Sequence, residues 1–282
     1  MRYGFVLPGG TANQQLELAE RADRSGWDGV FVWEAAYGVD AWTLLGAMAA
    51  RTERVRLGTM LTPLPWRRPW KVASQAVTLD QLSDGRAILA VGLGAVDTSL
   101  GNTGEEMDRR VRAEMLDEGI DLIRGFWDGR LRYGGTHYQA DLSPRDDLAE
   151  VAAPVQARIP IWVVGAWPRQ KSMRRALRCD GLLPNVMRDG VGEERTPEDM
   201  AVTLDDMRAI GAWLREQGAG PDFDLVAEGE TPANDRDEAR DIAARWQDAG
   251  ATWWLEARWA LPHHSPERMD AVRTRLETGP PR

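Results

Sequence analysis

Glu34 ends an apolar run that begins at Gly29, in the order Gly-Val-Phe-Val-Trp-Glu-Ala. A carboxylate in that position can act as a general acid or base if burial raises its pKa. It can equally serve as a hydrogen-bond acceptor that fixes a neighbouring loop. A second stretch, Val164-Gly165-Ala166-Trp167-Pro168-Arg169-Gln170-Lys171, has the make-up of an anion site. Small residues let a backbone approach, a following helix presents free N–H groups, and Arg169 and Lys171 add positive charge. The same residues also read as an ordinary start of a surface helix. Arg67 and Arg68 are further candidates for an anionic ligand, though they suit a solvated rim or a subunit contact as well. Glu228, Glu230 and Glu256, if gathered at one place, would favour a neutral or cationic substrate.

Other chemistries are poorly served. The histidines number three, His137, His263 and His264, and no His-x-His opens the chain. A metal-dependent hydrolase would want several such ligands, so no metal site is expected. No Gly-x-Ser-x-Gly occurs. The single cysteine, Cys179, has no disulfide partner and reads as packing, which suits a reducing compartment and gives a cytoplasmic expectation. Acids outnumber bases 44 to 35, for a net charge of -9, which argues against a nucleic-acid partner. No apolar stretch approaches the ~20 residues of a membrane span.

The elements that position these groups repeat in a simple order. Apolar runs at Tyr3–Leu7, Gly29–Trp33, Arg56–Met60, Ile88–Val91, Ile161–Val164, Gly181–Leu183, Phe223–Ala227 and Thr252–Leu255 are each followed by a helical pattern. The helices are expected at Asn13–Ser25, Asp40–Arg51, Pro69–Leu82, Glu105–Trp127, Pro168–Arg178, Pro197–Glu216, Asp235–Asp248 and Ser265–Glu277. Thr196 and Ser265 read as N-caps, while Gly26, Gly218 and Gly250 read as left-handed helix stops. Eight such units predict an α/β fold of the (β/α)8 TIM-barrel class, with residues 1–282 as a single domain. An insertion at roughly 130–160 contains a hairpin turning at Gly134-Gly135, and the tail after Glu277 reads as frayed. The thirteen tryptophans suit a core or an apolar pocket.

The stretch from Leu57 to Gly94 carries LGTMLTPL, RRPW, TLDQLSDGR and VGLG in that order. It resembles the bacterial luciferase-like monooxygenases, TIM-barrel enzymes that use FMN or the deazaflavin F420. The resemblance implies a cofactor site at Thr59, Met60, Gly92 and Gly94, and a cofactor phosphate at Val164, Gly165, Ala166, Trp167 and Arg169. It also implies a non-prolyl cis peptide at Thr59–Met60 or the next bond. At the phosphate loop the family often has Gly-Gly; Ala166 keeps the small size without left-handed freedom. Many F420-type relatives have Trp-Asp-His where this chain has Trp33-Glu34-Ala35. Trp33 and Glu34 are the catalytic candidates, and the missing imidazole tilts the reading toward an FMN-dependent monooxygenase of a small organic substrate. The alternatives are an F420-dependent hydride transferase and a non-catalytic flavin-binding protein. Family resemblance also implies a homodimer.

Overall fold

The computed structural model describes residues 1–95, 100–143, 153–188, 201–258 and 265–282. Eight parallel strands alternate with helices, and the fold is the (β/α)8 TIM barrel expected from the sequence. The strands are β1 (Arg2–Val6), β2 (Gly29–Val32), β3 (Arg56–Thr59), β5 (Ala87–Gly92), β8 (Ile161–Trp167), β9 (Gly181–Val186), β10 (Asp224–Gly229) and β11 (Trp253–Glu256). A two-residue strand, β4 (Thr62–Pro63), pairs in parallel with the end of β5. Among the described residues the α-helices are α1 (Ala12–Arg24), α2 (Ala41–Ala49), α3 (Pro69–Leu82), α4 (Arg109–Trp127), α5 (Gln170–Ala176), α6 (Leu204–Glu216), α7 (Arg236–Asp248) and α8 (Pro266–Glu277).

The chain divides into two compact units, Met1–Phe31 with Pro160–Arg282, and Val32–Ile159. In the first unit the strands run β2-β1-β11-β10-β9-β8. Its centre is aromatic: Phe31 stacks on Trp162 at 5.3 Å, and Trp253 meets Trp162 edge-on at 5.1 Å. Gly181 makes room for this cluster, since a Cβ there would lie 2.4 Å from Trp162.

The second unit is tied by the residues of TLDQLSDGR. Arg86 spans three segments, donating to the carbonyls of Ala49, Thr52 and Val55, to Ser83 O, and to the Thr52 hydroxyl. Asp84 and Gly85, at φ 53° and 80°, turn the chain from α3 into β5. Asp80 is fully buried and accepts from the Val155 and Gln156 N–H groups and the Gln156 amide. The TLDQLSDGR part of the stretch that carries the family resemblance is thus scaffold.

Several expectations change. The hairpin exists as antiparallel β6 (Arg132–Gly134) and β7 (Gln139–Asp141), but it turns over Gly135–Tyr138. Glu118 holds that turn by accepting from the N–H groups of Thr136, His137 and Tyr138, so the glycines need no left-handed conformation. Helix α4 begins at Arg109 because Asp108 caps it, later than Glu105. Pro168 follows a cis bond and precedes the cap Arg169, so α5 starts at Gln170. The tail is docked: Pro281 is buried, Arg240 donates to the Arg282 carbonyl, and Arg282 pairs with Asp28. Ser265 caps α8, and Gly26, Gly218 and Gly250 are left-handed as expected. Thr196, Pro197, His263 and His264 lie outside the described residues.

Candidate active site

The second unit gathers its polar groups at the end of β2 and around β3 and β4. Trp33 and Glu34 follow β2 directly, and the Glu34 side chain is only 5% exposed. Its Oε2 accepts from the Trp42 indole at 3.3 Å and from the Thr62 hydroxyl at 2.8 Å. Its Oε1 accepts from Arg67, whose other terminal nitrogen donates to Gln75 Oε1 at 3.0 Å. Thr62 Oγ1 also lies 3.0 Å from Thr59 Oγ1, which lies 3.1 Å from the Ala90 carbonyl of β5. Thr59 and Thr62 are fully buried. Local structure explains this convergence: α2 starts at Ala41 under the Asp40 cap and carries Trp42 on its first turn, and the 3-10 turn Leu64–Trp66 delivers Arg67.

Burial pushes the Glu34 carboxyl above the usual range, more than Arg67, Thr62 and Trp42 pull it down. A buried carboxyl with a raised pKa is suited to hold or release a proton, and the other glutamates singled out above are differently placed. Glu256 is wholly buried and is spent on Thr231, Trp254, Arg258 and Arg275. Glu230 pairs with Arg258. The expected acidic rim is therefore largely neutralised.

Of the expected cofactor residues, Thr59 belongs to the Glu34 cluster through Thr62. The Met60 N–H donates to the Val32 carbonyl, and the Met60–Leu61 bond is cis, the second of the two bonds expected. Gly92 is buried opposite Pro63. Gly94, at φ 83°, has a packing reason for lacking a side chain: a Cβ would lie 2.2 Å from the Trp66 ring. Arg112 holds this turn, donating to Leu93 O and Gly94 O while lying over Trp66 at 5.1 Å.

Val164, Gly165, Ala166 and Trp167 belong to the other unit and continue β8, so the expected loop is shorter than the sequence suggests. A Cβ on Gly165 would lie 2.4 Å from Leu182, so packing alone requires the glycine. The Ala166 N–H is taken by the Ser172 hydroxyl, and the Arg169 N–H by the Ala166 carbonyl. What the segment offers an anion is the exposed charge of Arg169 and Lys171 and the start of α5, which no side chain caps.

Thr62, Trp42 and Gln75 escape the sequence reading. Thr62 alone leaves a signal, three residues after Thr59 within LGTMLTPL.

A TIM barrel with a carboxylate buried at a strand end defines a class of enzymes rather than one activity. The pattern of the luciferase-like monooxygenases matches residues 2–281, and the chain belongs to that family. It is an oxidoreductase of the type that depends on a flavin or on F420. An F420-dependent glucose-6-phosphate dehydrogenase of Nakamurella multipartita is 27% identical over 292 residues, covering 95% of this chain and 84% of the relative. A provisionally named coenzyme F420-dependent oxidoreductase of Mycobacterium tuberculosis is 34% identical over 176 residues, 60% of this chain; the match spans half of that relative's length. Among solved structures, an F420-dependent secondary alcohol dehydrogenase bound to an F420–acetone adduct superposes with a TM-score of 0.74 at 18% identity, covering 98% of this chain and 97% of the other. No helix among the described residues is long and apolar enough to cross a membrane.

Proposed function

We propose that this chain is an F420-dependent oxidoreductase that moves a hydride between the deazaflavin and a small organic substrate. The observation that carries the reading is Glu34, a carboxylate buried at the end of β2 whose pKa is raised by that burial. Hydride transfer to or from a carbonyl or alcohol requires a proton partner, and a carboxyl group with a raised pKa meets that need. The missing imidazole beside it favoured FMN from sequence alone. The relatives favour F420, and the retained acid makes the imidazole dispensable for that role.

The residues present fit such a cofactor. The cluster around Glu34 offers polar partners beside an apolar strand end. In the other unit, taken by itself, the start of α5 offers an anion the positive charge of Arg169 and Lys171. When bound, F420 supplies a two-electron hydride couple. The chain itself would hold or release the proton at Glu34 Oε2, orient that carboxyl through Trp42 and Thr62, and balance the charge of its ionised form through Arg67.

The deciding experiment titrates the purified protein with F420 and with FMN in parallel, followed by cofactor fluorescence. F420 is expected to bind, and Arg169→Ala with Lys171→Ala to weaken it about tenfold or more, as loss of charged contacts to a phosphate does. Binding of FMN with no binding of F420 overturns the reading. Tight F420 binding with no turnover across alcohols, aldehydes and sugar phosphates would instead mark a cofactor-binding protein.

A further inference from the structure

The contacts around Glu34 outnumber the hydrogens available to make them. Glu34 Oε2, Thr62 Oγ1, Thr59 Oγ1 and the Ala90 carbonyl form a row with three successive contacts of 2.8, 3.0 and 3.1 Å. Each contact needs one hydrogen, and the two threonine hydroxyls supply only two. With Glu34 ionised, one contact in the row is therefore left without a hydrogen. With Glu34 protonated on Oε2, the row closes: Glu34 donates to Thr62, Thr62 to Thr59, and Thr59 to Ala90. The opposite pull comes from the other carboxylate oxygen, where Arg67 is held by Gln75. The charged groups acting on Glu34 are Arg67, from the turn after β4, and Asp40, at the start of α2; Trp42, Thr62 and Thr59 are neutral.

We propose that Glu34, Thr62 and Thr59 form a hydrogen-bond row that exists with two or three protons, and that Arg67 is the positioning residue that selects between them. Arg67 in contact keeps the row one proton short. Arg67 drawn away, as an anionic ligand group would draw it, lets the row take one proton from solvent and close. Arg67 is suited to this because its side chain is 26% exposed whereas its partner is buried. The proposal rests on the reading of Glu34 as the group that handles the proton.

Its test uses the protein without cofactor, so failure to bind F420 would leave the test intact. The Trp42 indole N–H donates to Glu34 and reports its charge by NMR. In Arg67→Met the midpoint of that signal should move up by about 1–3 pH units, the usual effect of one close opposite charge. Arg67→Lys should return it toward the wild-type midpoint. An unchanged midpoint in Arg67→Met overturns the role of Arg67. The row itself is read from the carboxyl stretching band of protonated Glu34 in Arg67→Met, identified by its loss in Glu34→Gln. Adding Thr62→Val should shift the band to higher frequency, and Thr62→Ser should not. A band indifferent to Thr62→Val shows that Glu34 does not donate into the threonines and overturns the row.

Discussion

At the scale of single residues, Glu34 is a position where chemistry and stability pull apart. Its carboxyl is raised in the folded protein, so the ionised form is penalised by folding. Because the folded pKa lies above the unfolded one, the proton stabilises the fold at low pH, and that contribution is lost as pH rises through the folded value. Glu34→Gln keeps an acceptor for Trp42 and Thr62 and removes the charge. It should raise the melting temperature at pH 7–8, with the gain shrinking toward zero below about pH 4, where the unfolded carboxyl is also protonated. Turnover should fall by about 10²–10⁴-fold, the usual loss when a general acid or base is removed. Parallel thermal melts and rate measurements check both; a variant that is less stable at neutral pH contradicts the burial argument. Glu34 was legible in the sequence because it closes an apolar run. Its partners were not, because Thr62 and Arg67 stand 28 and 33 residues away and meet it only through the path of β3 and β4.

At the scale of elements, the TLDQLSDGR part of the recognisable stretch positions rather than reacts. The elements of TLDQLSDGR were readable because α3 has a proline start and β5 is an unbroken apolar run. What Arg86 does was not readable, since its acceptors are backbone carbonyls that leave no trace in side-chain identity. Arg86→Met strands the Ala49, Thr52 and Val55 carbonyls, at about 1–3 kcal/mol for each that stays unsatisfied. Chemical denaturation should show a loss of about 3 kcal/mol or more, while the folded fraction keeps the cofactor affinity of the wild type. The α5 start misled in the other direction. Pro168 followed by basic residues reads as a first helical turn, but the strand runs on to Trp167 and packing against Leu182 explains the glycine. The loop is shorter in consequence, and Arg169 and Lys171 stay exposed at its end.

At the scale of the whole chain, one buried guanidinium ties segments far apart in sequence. Arg275 on α8 lies over Trp27 at 5.1 Å, donates to the Thr231 hydroxyl, and reaches Thr278 and Gly279 at the start of the tail. It stands 3.6 Å from the fully buried Glu256, which also contacts Arg258 at 3.3 Å. The sequence offered only an amphipathic last helix and a Gly-Pro-Pro tail that reads as loose; the node holds the start of the tail through the Thr278 hydroxyl and the Gly279 carbonyl, and Arg240 and Asp28 hold its end. Removing one member of a buried ion pair costs more than the pair contributes, because the remaining charge keeps its desolvation cost. Arg275→Met should therefore lose about 3–5 kcal/mol, and adding Glu256→Gln should recover part of that loss. Trp27 supplies the local readout, since its indole N–H donates to Leu276 O and its ring loses the cation in Arg275→Met. Its emission should change in the single variant under native conditions. A double variant no more stable than Arg275→Met would mean that Glu256 is held adequately by Arg258 and Thr231, and that Arg275 acts through the tail and Trp27 alone.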